Sequence, residues 1–241
     1  MSKRTRRFVV VGSLAVAAIA AFAGWWFLLR SDAPPPVSLD EAAAAATSTT
    51  GGRSIVGTTG LPDAGVDGPW VVAEGGGSYA GYRVNEELAS IGFQEAAGRS
   101  EGIDASLTID RGTVTAVQVT VDTTRLMSDQ ARRDNAIRDQ ALETRAFPTA
   151  TFTLTVPIAL PTDAASSVAF SVTATGDLTL HGVTHTVSID LQAQLVGDTI
   201  AVIGNTPILF SDYDIAQPRA MAVLSVEDHG VLELQLLFVR G

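Results

Sequence analysis

Three histidines, His181, His185 and His229, are the residues most open to a metal or nucleophilic reading, and the chain has no cysteine. His181 and His185 stand four apart, the spacing that ligates zinc from one face of a helix. Here the run GDLTLHGVTHTV, Gly176 to Val187, reads as strand, turn and strand, so the pair is placed as turn-flanking surface histidines. A second cluster joins Asp129, Asp134 and Asp139 to Arg132, Arg133 and Arg138. Helix capping and exposed ion pairs account for it. Its sharper reading is a polar rim at the mouth of a binding site, where Arg133 and Arg138 meet a phosphate or other head group. Asp212 and Asp214 flank Tyr213 and are read as solvated, the alternative being a buried Asp212 that orients a loop. Gly75-Gly76-Gly77 lacks the Lys-Ser/Thr of a phosphate loop, and no Gly-x-Ser-x-Gly or nucleophile beside a histidine occurs. Nothing in these residues asks for an enzyme, and no metal or cofactor is expected.

The elements that would position such a site are strands. Val117, Val119 and Val121 alternate with polar residues, as do Phe152, Leu154, Val156 and Ile158. So do Val168, Phe170, Val172 and Ala174, then Leu178 and Leu180. Val187, Ile189, Leu191, Ala193 and Leu195 follow, and Leu232, Leu234, Leu236 and Phe238 close the chain. One apolar and one polar face per strand is the pattern of an antiparallel sheet with one wet side. Turn chemistry at Asp110-Arg111-Gly112, His181-Gly182-Val183-Thr184, Gly197-Asp198 and Asp228-His229-Gly230 separates them. About eight such strands make an all-β sandwich or closed barrel. Ser128 to Thr144 reads as a short helical insertion, with Asp129 and Asp134 as N-cap carboxylates. Ala131, Ala136, Ile137, Ala141 and Leu142 give it a weak apolar stripe, and Phe147-Pro148 ends it.

Four segments in order resemble the YceI-like family. SYAGYRV, Ser78 to Val84, is similar to its opening strand. Arg133-Asp134, Leu142, Pro148 and Phe152 resemble its Arg-Asp…aromatic-x-Pro run. Gly176, Leu178, Thr179, Leu180, Gly182, Val183 and Thr184 resemble its Gly-x-Leu-Thr segment, and LFSDYDI, Leu209 to Ile215, its late Asp-aromatic segment. Many members carry a histidine two residues after the Arg-Asp, where this chain has Ala136, so no head-group or metal role is carried over there. The resemblance, to membrane-anchored, actinobacterial-type members, implies a lipocalin-like antiparallel barrel that binds a polyisoprenoid. The expected cavity wall is Tyr82, Val119, Phe152, Leu154, Phe170, Val172, Ile189, Leu191, Leu234 and Leu236. The competing expectation is a barrel filled by those same side chains, serving envelope interaction or stress.

The N-terminal part reads differently. Phe8 to Leu29 carries no charge and follows Lys3, Arg4, Arg6 and Arg7. That is the length and flank of a transmembrane helix with a cytoplasmic N-terminus and the barrel outside. Trp25 and Trp26 suit its outer interface. A cleaved signal peptide ending near Ala21-Phe22-Ala23 is the alternative, giving a secreted protein. The anchor is preferred because the apolar run continues to Leu29. Residues 31–69, with Pro34-Pro35-Pro36, five alanines and TSTTGGRS, read as a flexible linker that stays mobile. The expected organisation is residues 1–30 anchor, 31–69 linker and 70–241 barrel. A net charge of −10, more negative without the four N-terminal cations, argues against nucleic acid and anionic lipid head groups as partners.

Overall fold

The computed structural model describes residues 33–50, 65–73, 75–88, 92–218 and 223–241. Phe8 to Leu29 lies outside them. Among the described residues no helix is long and apolar enough to cross a membrane.

Strands β1 (Gly68–Val72), β4 (Ile103–Asp110), β5 (Thr113–Asp122), β6 (Thr149–Leu154), β8 (Phe170–Leu180), β9 (Val183–Val196), β10 (Thr199–Leu209) and β12 (His229–Arg240) pair in that order. The ring closes where β1 pairs with β12, Trp70 opposite Arg240 and Val72 opposite Phe238. Eight antiparallel strands thus make a barrel with no free edge along that path. The first half of β12 pairs instead with β2 (Tyr79–Leu88), which carries β3 (Gly92–Ser100) and β11 (Val223–Val226). β3 reaches the stretch after β5 through a bridge between Arg99 and Met127, and the short β7 (Ile158–Ala159) lies beside β5.

Local sequence explains the tight hairpins. β4–β5 turns at Arg111-Gly112 and β8–β9 at His181-Gly182, each with two positive φ angles (48° and 71°, 51° and 77°). That is the type I′ geometry whose twist matches paired strands, and glycine at the second position adopts it without strain. The β8–β9 turn is therefore two residues, and Val183 and Thr184 already belong to β9. β4 alternates buried and solvated residues along Ala105, Leu107 and Ile109. The inward side chains form the main apolar core, with Phe152, Leu178, Ile189, Leu236 and Phe238.

Two expectations change. Leu39–Thr50 is not mobile linker but a helix, α1, with Ala42 and Ala46 wholly buried. It lies on the outside of the wall, against Ala201, Ile203 and Leu237. A helix this short is marginal alone. Small alanines let it sit close on the sheet, and Asp40 and Glu41 complement its N-terminal dipole. Ahead of it, the Pro34 and Pro35 carbonyls accept from Arg83 Nη2 (2.8 Å) and Arg99 Nη2 (2.7 Å).

The insertion is present as α2, Ala131–Ala136, continuing as a π-helical turn over Ile137–Ala141. Its N-cap is Gln130, which makes no side-chain cap, so neither Asp129 nor Asp134 caps it. Asp134 instead accepts from the Ser128 amide (2.8 Å) and hydroxyl (2.7 Å), holding the entry loop.

Candidate functional site

The barrel encloses a cavity of about 260 Å³ whose wall is built by inward residues of the strands. Of the expected wall, Tyr82, Val119, Phe152, Phe170, Val172, Ile189, Leu191, Leu234 and Leu236 all line it. Leu154 is the exception. It is the last residue of β6 and packs against the core without reaching the cavity. β4 contributes Leu107 and Ile109, and the insertion contributes Ile137, Ala141 and Leu142. β4 was not among the strands read from the sequence, although Ala105, Leu107 and Ile109 carry the same period-two signal. That the insertion folds over one end of the barrel was not legible, because that depends on contacts distant in sequence.

Close approach shapes the wall. A Cβ at Gly176 would come 2.3 Å from the Thr153 carbonyl and 2.6 Å from the Phe152 ring, so glycine is what lets that ring lie flat across β8. Tyr82 lies likewise over Gly98, its partner across β2 and β3.

The insertion is fastened on two sides. Arg133 donates from Nε and Nη2 to both oxygens of Glu86, each at 3.1 Å, and also bonds Asp129. Both Arg133 and Glu86 are nearly buried. Burial alone would lower the Arg133 pKa, but the hydrogen bond and charge of Glu86 outweigh it and raise it. On the other side His181 donates from Nδ1 to the Tyr213 carbonyl (3.0 Å), and its Nε2 lies 3.1 Å from Glu143 at the end of the insertion. The Phe147 ring meets His181 edge-on at 4.6 Å.

These contacts revise the polar readings. Arg133 is neutralised by carboxylates of the protein, and Arg138 donates to the Leu126 carbonyl (3.0 Å) and Asn135 Oδ1 (2.9 Å). Both arginines hold the insertion in place, Arg133 through carboxylates and Arg138 through neutral acceptors. His181 is no surface residue, its side chain being 8 % exposed. His185 is exposed and donates to the Asp212 carbonyl (2.8 Å). Asp212 and Asp214 are exposed, around a buried Tyr213. Among the described residues no group of three or more His, Asp or Glu side chains could hold a metal ion.

The model of the YceI-like domain matches residues 80–238. The chain belongs to the YceI-like domain family. It therefore takes in β2 to β12 and the insertion, and α1 and the proline segment precede the matched region. Among solved structures, a polyisoprenoid binding domain from Saccharophagus degradans implicated in plant cell wall breakdown is similar, with 17 % identity and a TM-score of 0.53. That likeness covers 71 % of this chain and 98 % of that one. Burkholderia cenocepacia BcnA is similar at 17 % identity and TM-score 0.52, covering 66 % and 95 %. The Campylobacter jejuni YCEI protein follows at 19 % and 0.50, covering 60 % and 84 %. At such identities these likenesses establish the shared fold. No curated protein matches the chain.

Proposed function

We propose that this protein binds a long apolar ligand, of polyisoprenoid type, inside its barrel, and acts as a carrier or receptor rather than an enzyme. The observation that carries the reading is the cavity: a space of about 260 Å³ with an aliphatic and aromatic wall. A side-chain-filled barrel, the competing reading, has no use for that volume. The similar domain described as polyisoprenoid binding adds support.

Magnitudes bound what the cavity does alone. An apolar cavity of ~150 Å³ holds benzene, so this one accommodates roughly ten carbons, or about two isoprene units. At ~0.8 kcal/mol per buried CH₂ these contribute on the order of 8 kcal/mol, equivalent to a micromolar Kd before ordering costs. A longer chain leaves through an end of the barrel or widens it. Organic extraction and native mass spectrometry of the full chain purified from its own host test the reading. A co-purifying isoprenoid lipid is the expected result. A ligand-free barrel recovered directly from its membranes would count decisively for the filled or interaction role.

We also place the barrel outside the cell membrane, tethered by Phe8 to Leu29, because four cations precede that uncharged run. Protease added to intact spheroplasts should remove the barrel and spare an N-terminal tag. A protected barrel would show that the orientation is wrong.

A further inference from the structure

The cavity wall carries a polar group that no described residue engages. Tyr82 lines the cavity from the middle of β2, and its hydroxyl makes no hydrogen bond to any described residue. The residue is half-buried and opens on the cavity, so its phenol is a donor that a ligand in that cavity can reach. Its ring is not free to seek one. A Cβ at Gly98 would stand 2.5 Å from Tyr82 Cε1 and 2.9 Å from its oxygen, so the ring lies directly on the β3 backbone. The direction of the hydroxyl is set before any ligand arrives, which lowers the ordering cost of binding.

The surroundings decide which head group fits. The charges that act on the Tyr82 hydroxyl are Arg133 and the carboxylates of Glu86, Asp134 and Asp129, and Arg133 is already held by Glu86 and Asp129. The local sum is negative, so a phosphate is repelled. The carboxylate oxygens are engaged by Arg133 and Ser128, which leaves an ammonium poorly served as well. Burial pushes the Tyr82 pKa up, with the Arg133 charge offsetting part of the rise. The proton therefore stays on the oxygen and is available to donate.

Resting on the reading of the cavity as a ligand site, the geometry points to a ligand whose apolar chain ends in a neutral carbonyl oxygen, of ketone, aldehyde or ester type, received by the Tyr82 hydroxyl. The test uses the purified full-length chain and displacement of the apolar fluorophore N-phenyl-1-naphthylamine by four probes with ten-carbon chains. These are geranial, the matching hydrocarbon 2,6-dimethyl-2,6-octadiene, geranylamine and geranyl phosphate. Geranial should displace at roughly three- to tenfold lower concentration than the hydrocarbon, the worth of one net hydrogen bond. In Tyr82→Phe that ratio should fall toward one. Equal displacement by geranial and hydrocarbon, an unchanged ratio in Tyr82→Phe, or tightest binding of the phosphate or the amine would each overturn the inference while leaving the apolar cavity intact. Displacement by none of the four would remove the cavity reading and this inference with it.

Discussion

Glu233→Ala should destabilise the protein by ~3–5 kcal/mol, the cost of breaking a buried ion pair by removing one partner. Glu233 is 3 % exposed. Its Oε2 accepts from Arg83 Nε (3.3 Å) and Nη2 (3.2 Å), and its Oε1 from Arg99 Nε (2.9 Å). The two guanidiniums in turn donate to the Pro34 and Pro35 carbonyls, and Arg99 lies 4.1 Å over the Tyr79 ring. Prolines present carbonyls but no amide donors, so an extended proline run against a sheet needs donors from elsewhere. Removing Glu233 takes the shared anion from two oriented cations, of which Arg83 stays paired with Glu95, and loosens the segment they hold. Urea denaturation should show the loss, and limited proteolysis should cut faster within residues 33–50. Glu233→Gln, which keeps one acceptor oxygen, should fall between. A change below ~1 kcal/mol in Glu233→Ala would mean that the cluster is effectively solvated, like a surface pair.

That cluster shows what a sequence reading reaches and what it does not. The strands were legible because period-two alternation depends only on neighbours: Ile189, Leu191 and Ala193 face inward as their spacing requires. The hairpins were legible because His181-Gly182 and Arg111-Gly112 announce positive φ locally. The proline and alanine segment was misread because its order comes from residues far along the chain. Arg83 and Arg99 supply donors, and Ala201 and Leu237 supply a flat floor. Composition speaks only for a segment left to itself. Arg133 failed for a related reason. A cation beside aspartates looks available until Glu86, on β2 and 47 residues earlier, takes both of its parallel donors. Tyr82 lines the cavity, but the contact of its ring with Gly98 on β3 becomes visible only once the two strands are paired.

Leu191→Trp should lower affinity for an apolar ligand at least tenfold while leaving stability within ~1 kcal/mol of the parent. Leu191 lines the cavity and stands opposite Gly204 on β10, where a Cβ would come 2.4 Å from its Cδ2. The leucine is thus pressed against glycine backbone on one side and faces open volume on the other. An indole can extend only into that volume, which is the space a ligand would take. Losing room for two or so methylenes accounts for the expected fall, at ~0.8 kcal/mol each. Phe170→Trp, on the neighbouring strand and also in the wall, should act in the same direction with a smaller effect, since the added atoms are fewer. In a barrel already filled by side chains the same substitutions overpack the core and cost ~1–3 kcal/mol. The two readings therefore predict opposite pairs of results: lost binding with retained stability, or lost stability with no ligand to lose. Thermal unfolding of both variants beside fluorophore displacement distinguishes them, and clear destabilisation of both would place the empty volume elsewhere than at these positions.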